Sequence, residues 1–434
     1  MLFSLLPGFV ELLSRIASCN YNIVRIPGTS LKLIFAVERD VPPVKSSAPA
    51  KKELTPKQME TMSWMMTNAN KDRIVLRLVT KDIQHSQTLV TSKGCFDFWG
   101  SYSFAKTYSP LILVPGYPPR FDVHKARSIG PDGLRPLFEM LAVLFPNAKL
   151  NNTHIVINRS SLMSLRKVAK GKVTQDFNLD LDLVGNTLFV GRKSRHAKVT
   201  PNAYGHNFEA EFTVPDSAFD VADGYYRIIR YTLGDLELLV RIEADAYMAT
   251  SRDPPAFPAP TVAEIKDAAP AILHTGPQQT KVVLGGKMIP QDQIIELKSN
   301  DKSKPKEQMW FGRTPNSCCG SFQNELRRSK DPEKEKAKRG LYIQKNMTNE
   351  DFEKWESDFA EATDDFSNDM DVQKSLQKLV SLLRMLREVT KKTAEGSAVM
   401  IYAEDENKQR ILTIYEAKEK VDAVPKEVEK MFWD

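Results

Sequence analysis

The sequence predicts a mixed α/β fold of the α+β type, in which helices flank one central mixed β-sheet. Strand patterns fill the middle of the chain, where residues 177–193 and 224–247 are rich in β-branched and alternating apolar residues. Helical patterns flank them, with apolar residues at helical spacing in 133–145 and throughout much of 351–392. A chain of 434 residues with 41% hydrophobic and 27% charged residues can bury a sizeable core.

Composition also predicts the domain organisation. Residues 1–60 are predicted to form an N-terminal amphipathic helix and a Pro-, Ser- and Lys-rich linker, and residues 61–434 a single domain with a charged loop at 327–340. The 4 cysteines have no CxxC spacing, which argues against a disulfide framework. No apolar run reaches membrane length, so no membrane partner is expected. The lone Arg15 argues against a mitochondrial presequence, which leaves the nucleus and the cytoplasm as expected locations.

Two segments organise the rest of the prediction. Residues 224–247 form two apolar runs separated by a Gly-Asp step, which indicates a β-hairpin. On its second strand, Arg241, Glu243 and Asp245 share one face because side chains alternate along a strand. Residues 293–298 read QIIELK, and the same rule places Glu296 and Lys298 on one face of another short strand.

Carboxylates and an ammonium group can therefore converge where these two strands end. Hard oxygen ligands of this kind suit Mg²⁺ or Mn²⁺, and a lysine beside them suits hydrolysis at phosphorus. The simpler alternative is that these charges form the wet face of an amphipathic sheet. The strongly apolar opposite faces of both segments favour the site over that alternative.

The order of short motifs resembles that of the decapping 5′–3′ exoribonuclease family, within the restriction-endonuclease-like PD-(D/E)xK superfamily. That family has a G-x-x-F-E segment, an E-x-D strand and an E-L-K strand, and the corresponding segments here are 205–209, 243–245 and 296–298. The family also has a strand that runs into an arginine and then a helix, and Arg159 lies in such a segment. The resemblance implies a nuclease-like domain with Mg²⁺ or Mn²⁺ as cofactor.

The resemblance also implies roles for individual residues. The implied metal ligands are the carboxylates Glu209, Glu243, Asp245 and Glu296 and the carbonyl of Leu297. Glu243, Asp245, Glu296 and Lys298 are the implied catalytic residues, with Lys298 orienting water or stabilising charge. Arg159 would hold RNA phosphate, and Arg192 or Arg241 are further candidates.

One position departs from the family pattern. Where the family has a glutamine one helical turn after a tryptophan, this chain has Arg313 after Trp310, while Gln308 lies earlier. Arg313 can contact the scissile phosphate, with Gln308 substituting for the glutamine. Alternatively, Arg313 pairs with Glu296 and excludes the metal.

The chain is also similar to fungal proteins with GHNFE segments that often carry a geranylgeranyl pyrophosphate synthetase label. That chemistry needs two aspartate-rich DDxxD helices, whereas residues 364–369 offer one imperfect match without a second copy. A prenyl diphosphate synthase is therefore the remote alternative.

The expected function is metal-dependent hydrolysis of RNA 5′ ends, of the decapping, pyrophosphohydrolase or 5′–3′ exoribonuclease type. RNA is the expected partner through its 5′ end and phosphate backbone, and a formal net charge of +6 permits a polyanion. A protein partner such as a 5′–3′ exoribonuclease is compatible with the resemblance. The alternative from another class is a catalytically weak or inactive nuclease-fold module that binds RNA or protein.

Overall fold

A computed structural model describes residues 56–434 with internal gaps. The residues outside the description within that range are 95, 106–110, 122–133, 174, 193–204, 206–207, 210–211, 215–221, 252, 258–259, 261–263, 265–279, 300–304, 324–340, 350, 358–371, 406, 421 and 434. The described residues all belong to one compact unit, Glu53–Asp434. The predicted N-terminal helix, the 327–340 loop and the aspartates at 364–369 lie outside the described residues.

Seventeen strands are present in the described part of the chain. They are β1 (Ala69–Val79), β2 (Asp97–Ala105), β3 (Leu111–Gly116), β4 (Arg120–Phe121), β5 (Ile155–Asn158), β6 (Phe177–Val184), β7 (Thr187–Gly191), β8 (Thr213–Val214), β9 (Ala222–Leu233), β10 (Leu236–Glu243), β11 (Ala246–Tyr247), β12 (Lys281–Gly286), β13 (Ile294–Lys298), β14 (Asn316–Gln323), β15 (Leu341–Asn349), β16 (Ser397–Glu404) and β17 (Arg410–Ala417).

Seven α-helices accompany these strands in the same described ranges. They are α1 (Pro56–Met65), α2 (Arg135–Leu144), α3 (Arg159–Ala169), α4 (Lys306–Gly312), α5 (Phe352–Ser357), α6 (Val372–Thr390) and α7 (Lys426–Trp433). The mixed α/β class predicted from the sequence is confirmed.

The strands form two sheets rather than the one sheet that was predicted. The large sheet has 11 strands in the order β1-β17-β16-β6-β7-β5-β10-β9-β2-β3-β12. It is mixed, because β5 pairs in parallel with β7 and β10 while β10 pairs antiparallel with β9. The smaller sheet has 6 strands in the order β15-β14-β13-β11-β4-β8.

Helices cover both faces of the large sheet. On β5, Ile155 and Ile157 pack in one apolar cluster with residues of α3 and α6. Val156, between them in sequence, packs in a second cluster with residues of α2 and α7. Because side chains alternate along a strand, β5 contributes residues to both cores, which explains why it is apolar from Ile155 to Ile157.

The structure corrects three local predictions. The apolar and β-branched residues of 73–90 predict strand structure throughout, but β1 ends at Val79, and a short 3-10 turn follows at Thr80–Asp82. Serines are favoured helix N-caps, so the sequence predicts Ser160 or Ser161 as the cap of the helix after β5, whereas its N-cap is Asn158, without a side-chain capping bond. The helical stretch predicted over 351–392 contains two separate described helices, α5 and α6.

The hairpin and the second site strand are confirmed. β9 and β10 pair from Leu233–Leu236 to Tyr226–Glu243 around Gly234 and Asp235. Gly234 has a φ of +64°, which glycine adopts without strain. None of the described helices combines the length and apolar character needed to cross a membrane.

Candidate active site

The two predicted site strands belong to different sheets. β10 ends at Glu243 in the large sheet, and the chain enters the small sheet at Ala246. β11 pairs antiparallel with β13 through Ala246 and Ile295, which brings the preceding residue, Asp245, beside Glu296. The backbone N–H of Leu297 donates to Asp245 Oδ2 at 2.8 Å. The crossing between sheets thus places the second acidic residue of the E-x-D motif against the E-L-K motif.

Glu296 lies at the centre of a dense polar cluster. Its carboxylate is 1% exposed, and its Oε2 accepts a hydrogen bond from Arg159 Nη1 at 3.0 Å. Its Oε1 accepts hydrogen bonds from Lys298 Nζ and Gln308 Nε2. Lys298 Nζ also lies 3.7 Å from Asp245 Oδ2. Asp245, Glu296, Lys298, Arg159 and Gln308, which we call the acidic cluster, therefore hold one another by charge and hydrogen bonds.

The cluster shifts the pKa of each carboxyl group in a different direction. Burial opposes ionisation of Glu296, but Arg159 and Lys298 outweigh it and lower its pKa to about 2. Burial, together with the charge of Glu296 and then Glu209, raises the pKa of Asp245 well above its ordinary value. Burial acts to lower the pKa of Lys298, but Glu296 and Asp245 outweigh it and raise that pKa. Lys298 therefore remains an ammonium group at neutral pH.

Arg159 connects this cluster with the large sheet. It is the first residue of α3, directly after β5, so the strand-arginine-helix order predicted from the sequence is present. Its Nη2 donates to the backbone carbonyl of Glu243 at 3.1 Å, in addition to the Glu296 contact. The side chain of Arg159 therefore links the end of β10 to β13.

A cavity of about 850 Å³ opens on the other side of Arg159 and Gln308. Basic side chains dominate its charged lining, which contains Arg159, Lys167, Lys172, Arg192 and Arg241 against the acids Asp176 and Glu243. Lys167, Lys172 and Arg192 are exposed. We call this space the basic cavity, and its charge favours a phosphate-bearing ligand.

Only part of this lining was predicted from the sequence, namely Arg159, Glu243, Gln308 and, as candidates, Arg192 and Arg241. Lys167 was not predicted, although it lies two helical turns after Arg159 on α3, with Met163 between them in the same lining. That i, i+4, i+8 spacing was visible in the sequence as one helical face. Lys172, which follows the helix, gave no comparable signal.

Arg241 is nearly enclosed although it belongs to the cavity lining. It is 4% exposed, and it donates to Tyr102 Oη at 2.7 Å and to Asn158 Oδ1 at 3.1 Å. Its guanidinium lies 4.1 Å from the ring centroid of Tyr226. Arg241 thereby fixes the floor of the cavity next to Asn158 and Arg159.

The two alternatives predicted for Arg313 both disagree with the structure. Arg313 is 3% exposed, and its guanidinium lies 4.2 Å from the ring centroids of both Trp310 and Tyr231. It donates to the backbone carbonyl of Trp310 and does not line the basic cavity. Its position at the left-handed C-cap of α4, with φ +49°, turns it back into the aromatic core. Arg159, rather than Arg313, is the arginine that pairs with Glu296.

The remaining predicted ligands are close to the cluster without completing a metal centre. Glu243 is exposed and lines the cavity, while Glu209 is half-buried and acts electrostatically on Asp245. His206 lies outside the described residues. Across the described ranges, no three carboxylate, histidine or cysteine side chains are arranged to hold a metal ion. Because cations and an amide also engage both oxygens of Glu296, this arrangement does not fit Mg²⁺ or Mn²⁺.

The chain is similar to several solved structures at low sequence identity. Rai1 from Candida albicans, in complex with pU5-Mn²⁺, is 12% identical, with a TM-score of 0.52 over 82% of this chain and 98% of that chain. S. pombe Rai1 in complex with 3′-FADP is 14% identical, with a TM-score of 0.48 over 79% and 99%. K. lactis Dxo1 in complex with manganese is 11% identical, with a TM-score of 0.44 over 80% and 99%.

The large mixed sheet with its flanking helices is thus a Rai1-like fold. No curated protein matches the chain. The chain belongs to the family described as Domain of unknown function (DUF8563), whose model matches residues 73–433.

Proposed function

We propose that this chain is a hydrolase that acts on the phosphate-bearing 5′ ends of RNA. The observation that supports this most directly is the sharing of Arg159 and Gln308 between the basic cavity and the acidic cluster. A phosphate bound in the cavity would lie against two of the three cationic or amide side chains that contact Glu296. The complex of Candida albicans Rai1 with pU5-Mn²⁺ supports RNA as the phosphate ligand.

The cavity residues would have different roles in RNA binding. Lys167, Lys172 and Arg192 are exposed and can neutralise phosphates along the strand, which positions RNA without reading its sequence. Arg159 offers a planar pair of donors at the cluster end of the cavity. A volume of about 850 Å³ lies within the range of sites for small ligands, so a terminal nucleotide is a suitable occupant.

Lys298 would act at the reacting phosphate. Its ammonium is held by Glu296 and Asp245, and Glu296 in turn contacts Arg159 and Gln308 of the cavity lining. From there it can offset negative charge that develops on the phosphorane or orient the attacking water. A requirement for Mg²⁺ or Mn²⁺ remains a prediction, and it demands a rearrangement around Glu296.

The direct test is product release from 5′-triphosphorylated and capped RNA in the presence of Mn²⁺. The variants are Glu243→Gln and Glu296→Gln, with Glu388→Gln as a control because Glu388 is an exposed carboxylate on α6. We expect release by the wild type and the control, and a fall of about a hundredfold or more in both site variants. Release that persists in Glu296→Gln would refute the proposed site.

A non-hydrolytic RNA-binding module is the second candidate. It is favoured by the neutralisation of Glu296 by Arg159 and Lys298 and by the incomplete metal centre among the described residues. This candidate predicts that RNA binds in fluorescence anisotropy with similar affinity to wild type and Glu296→Gln, while neither protein releases product. The prenyl diphosphate alternative gains no support, because residues 364–369 lie outside the described residues.

A further inference from the structure

The guanidinium of Arg159 lies against the backbone of Gly312, the last residue of α4. Gly312 is buried, and a Cβ added there would lie 2.9 Å from Arg159 Nη1 and 3.4 Å from its Cδ. The first distance is shorter than the separation of about 3.5 Å or more that non-bonded heavy atoms prefer. The absence of a side chain at residue 312 therefore gives the guanidinium of Arg159 the space that it occupies.

The guanidinium of Arg159 is also fixed by its hydrogen bonds. Its Nη1 donates to Glu296 Oε2 at 3.0 Å, and its Nη2 donates to the carbonyl of Glu243 at 3.1 Å. Glu296 is 1% exposed, so a shift of Arg159 would take a cation away from a buried carboxylate. Arg159 lines the basic cavity as well, so the same shift would displace a donor that can bind phosphate.

A chain of hydrogen bonds from the large sheet holds Gly312 in place. Its carbonyl accepts from Gln291 Nε2 at 2.9 Å, and Gln291 Oε1 accepts from Arg227 Nε at 2.8 Å. Arg227 is fully buried on β9, and it also donates to the Ile289 carbonyl at 2.8 Å and to Tyr225 Oη at 3.0 Å. The last turn of α4 is therefore tied to β9, and Gly312 has little freedom to move away from the guanidinium.

We propose that Gly312 is a positioning residue for the basic cavity. Because it leaves no side chain between α4 and Arg159, the guanidinium binds Glu296 and lines the cavity at the same time. Gln291 and Arg227 act through Gly312, since they fix its carbonyl. The choice of an RNA 5′ phosphate as the ligand rests on the proposed function, whereas the seating of Arg159 does not.

A methyl group at residue 312 tests this role, because its effect on the backbone is small. Gly312 is helical and has no positive φ, a conformation that alanine adopts at least as readily as glycine. The new methyl group would crowd Arg159 and also Thr314, whose Oγ1 would lie 3.1 Å from the Cβ. Arg159→Lys keeps the charge and the Cδ but removes Nη1, so it relieves the first contact and leaves the second.

The experiment is a double-mutant cycle in the full chain, with wild type, Gly312→Ala, Arg159→Lys and the double variant Gly312→Ala/Arg159→Lys. Each protein is measured for its denaturant midpoint and for its affinity for a 5′-monophosphorylated RNA pentamer, by fluorescence anisotropy without added divalent cations. The contact with Thr314 is common to both backgrounds, so it cancels in the cycle. Gly94→Ala is the control, because Gly94 is exposed, has no positive φ, and a Cβ there would meet no atom of the described residues within 4 Å.

We expect Gly312→Ala to lower the RNA affinity of the wild type by about tenfold, the scale of a lost hydrogen bond to a charged group. In the Arg159→Lys background, the same substitution should change the affinity by no more than about twofold. The denaturant midpoint should follow the same pattern, with a loss in the wild-type background alone. Gly94→Ala should lower neither quantity. Equal losses in the two backgrounds would overturn the proposal, because the methyl group would then act on α4 rather than on Arg159.

The outcomes separate the role of Gly312 from the proposed function. If RNA is bound but not hydrolysed, the cycle still reports on Gly312, and only the hydrolase proposal fails. If RNA is hydrolysed while both backgrounds respond equally, only the role of Gly312 fails. If none of the proteins binds RNA, the proposed function fails, and the denaturant midpoints alone decide whether Gly312 seats Arg159.

Folding itself supplies a further readout. Should Gly312→Ala not fold, recovery of a folded protein in Gly312→Ala/Arg159→Lys would support the proposal, because only the contact with Nη1 differs between the two. Failure of both variants to fold, with Arg159→Lys folded, would overturn it.

Discussion

Arg159 and Arg313 have the same side chain but opposite surroundings. Arg159 faces the basic cavity and a carboxylate, whereas Arg313 is enclosed by Trp310 and Tyr231. Sequence spacing relative to Trp310 drew attention to Arg313, but the left-handed backbone at that residue directs its side chain inward. The role of an arginine in this fold is therefore decided by its local backbone and neighbours.

This contrast predicts separable effects on stability and binding. Arg313→Gln should lower the free energy of unfolding by about 1–2 kcal/mol, because it removes two cation–π contacts. It should leave RNA affinity unchanged, because Arg313 does not line the cavity. Arg159→Gln is the comparison, with weaker RNA binding expected. Denaturant titration and fluorescence anisotropy measure the two quantities, and a loss of RNA affinity in Arg313→Gln would contradict the assignment.

A second residue-scale prediction concerns Asp182 on β6, which is 5% exposed. Burial raises the pKa of Asp182 to about 6, although the backbone N–H of Ala423 donates to its Oδ2 at 2.7 Å. The folded protein therefore holds this proton more tightly than the unfolded chain does. The contribution of Asp182 to stability consequently falls as pH rises from about 4 to about 6.

Asp182→Asn should remove this dependence while retaining an acceptor for Ala423. At pH 7 the variant should exceed the wild type in free energy of unfolding by about 1 kcal/mol, after a discount for solvent screening. The difference should shrink towards zero below about pH 4, where the wild-type carboxyl group becomes protonated in both the folded and the unfolded state. Denaturant titrations at several pH values measure it, and a pH-independent difference would exclude this explanation.

At the scale of elements, α3 and α4 jointly build the cavity wall. Arg159 belongs to α3 and Gln308 to α4, and a buried ion pair joins the two helices. Arg166 Nη1 lies 2.8 Å from Glu307 Oε2, with Arg166 1% exposed and Glu307 23% exposed. Arg166 Nε also donates to Ser375 on α6 at 3.1 Å. This pair fixes the separation of Arg159 and Gln308, the two contacts of Glu296 that belong to these helices.

Breaking that pair on one side should be costly. Glu307→Leu should lower the free energy of unfolding by about 3–5 kcal/mol, because it leaves the Arg166 charge buried without its partner. The double variant Arg166→Met/Glu307→Leu should recover much of that loss. The exposed pair Lys93–Glu353 is the control, and its disruption should cost about 1 kcal/mol or less. If the single and double variants have the same free energy of unfolding, the unpaired charge of Arg166 is not the cause of the lost stability.

At the scale of the whole molecule, the formal net charge is +6, and basic side chains dominate the cavity lining. RNA binding should therefore weaken with salt, because each neutralised phosphate releases counterions. Lys167→Ala should reduce the slope of log affinity against log salt by about 0.7. Lys374→Ala is the control, since Lys374 is exposed on α6 and does not line the cavity. A salt slope unchanged in Lys167→Ala would place the RNA elsewhere.

Local patterns were sufficient for the elements that carry the site. The Gly-Asp step predicted the hairpin β9–β10, and the short apolar run predicted β13. Patterns failed where distant contacts decide the structure. After Val79 the chain leaves the sheet, and Val90 exchanges hydrogen bonds with the side chain of Gln373 on α6. The apolar run alone does not show that the residues after Val79 contact α6 instead of continuing β1.

In the candidate site, too, contacts between neighbouring residues were predictable from the sequence, whereas contacts between distant residues were not. Period-two alternation brought Glu296 and Lys298 to one face, and their contact is present. The pairing of Arg159 with Glu296 joins residues 137 positions apart, so no local spacing encodes it. The division into two sheets was equally invisible, because it depends on Ala246 pairing with Ile295 instead of extending β10.

The short passage from β10 to β11 has a mechanical consequence. Ala244 is tied to the large sheet, where its N–H donates to the Tyr225 carbonyl at 2.9 Å, while Met248 is tied to the Gln293 carbonyl at 2.8 Å, just before β13. A displacement of one sheet relative to the other would therefore change the distance between Glu243 and Glu296 directly. A ligand that binds to both sheets would set the spacing of these two carboxylates.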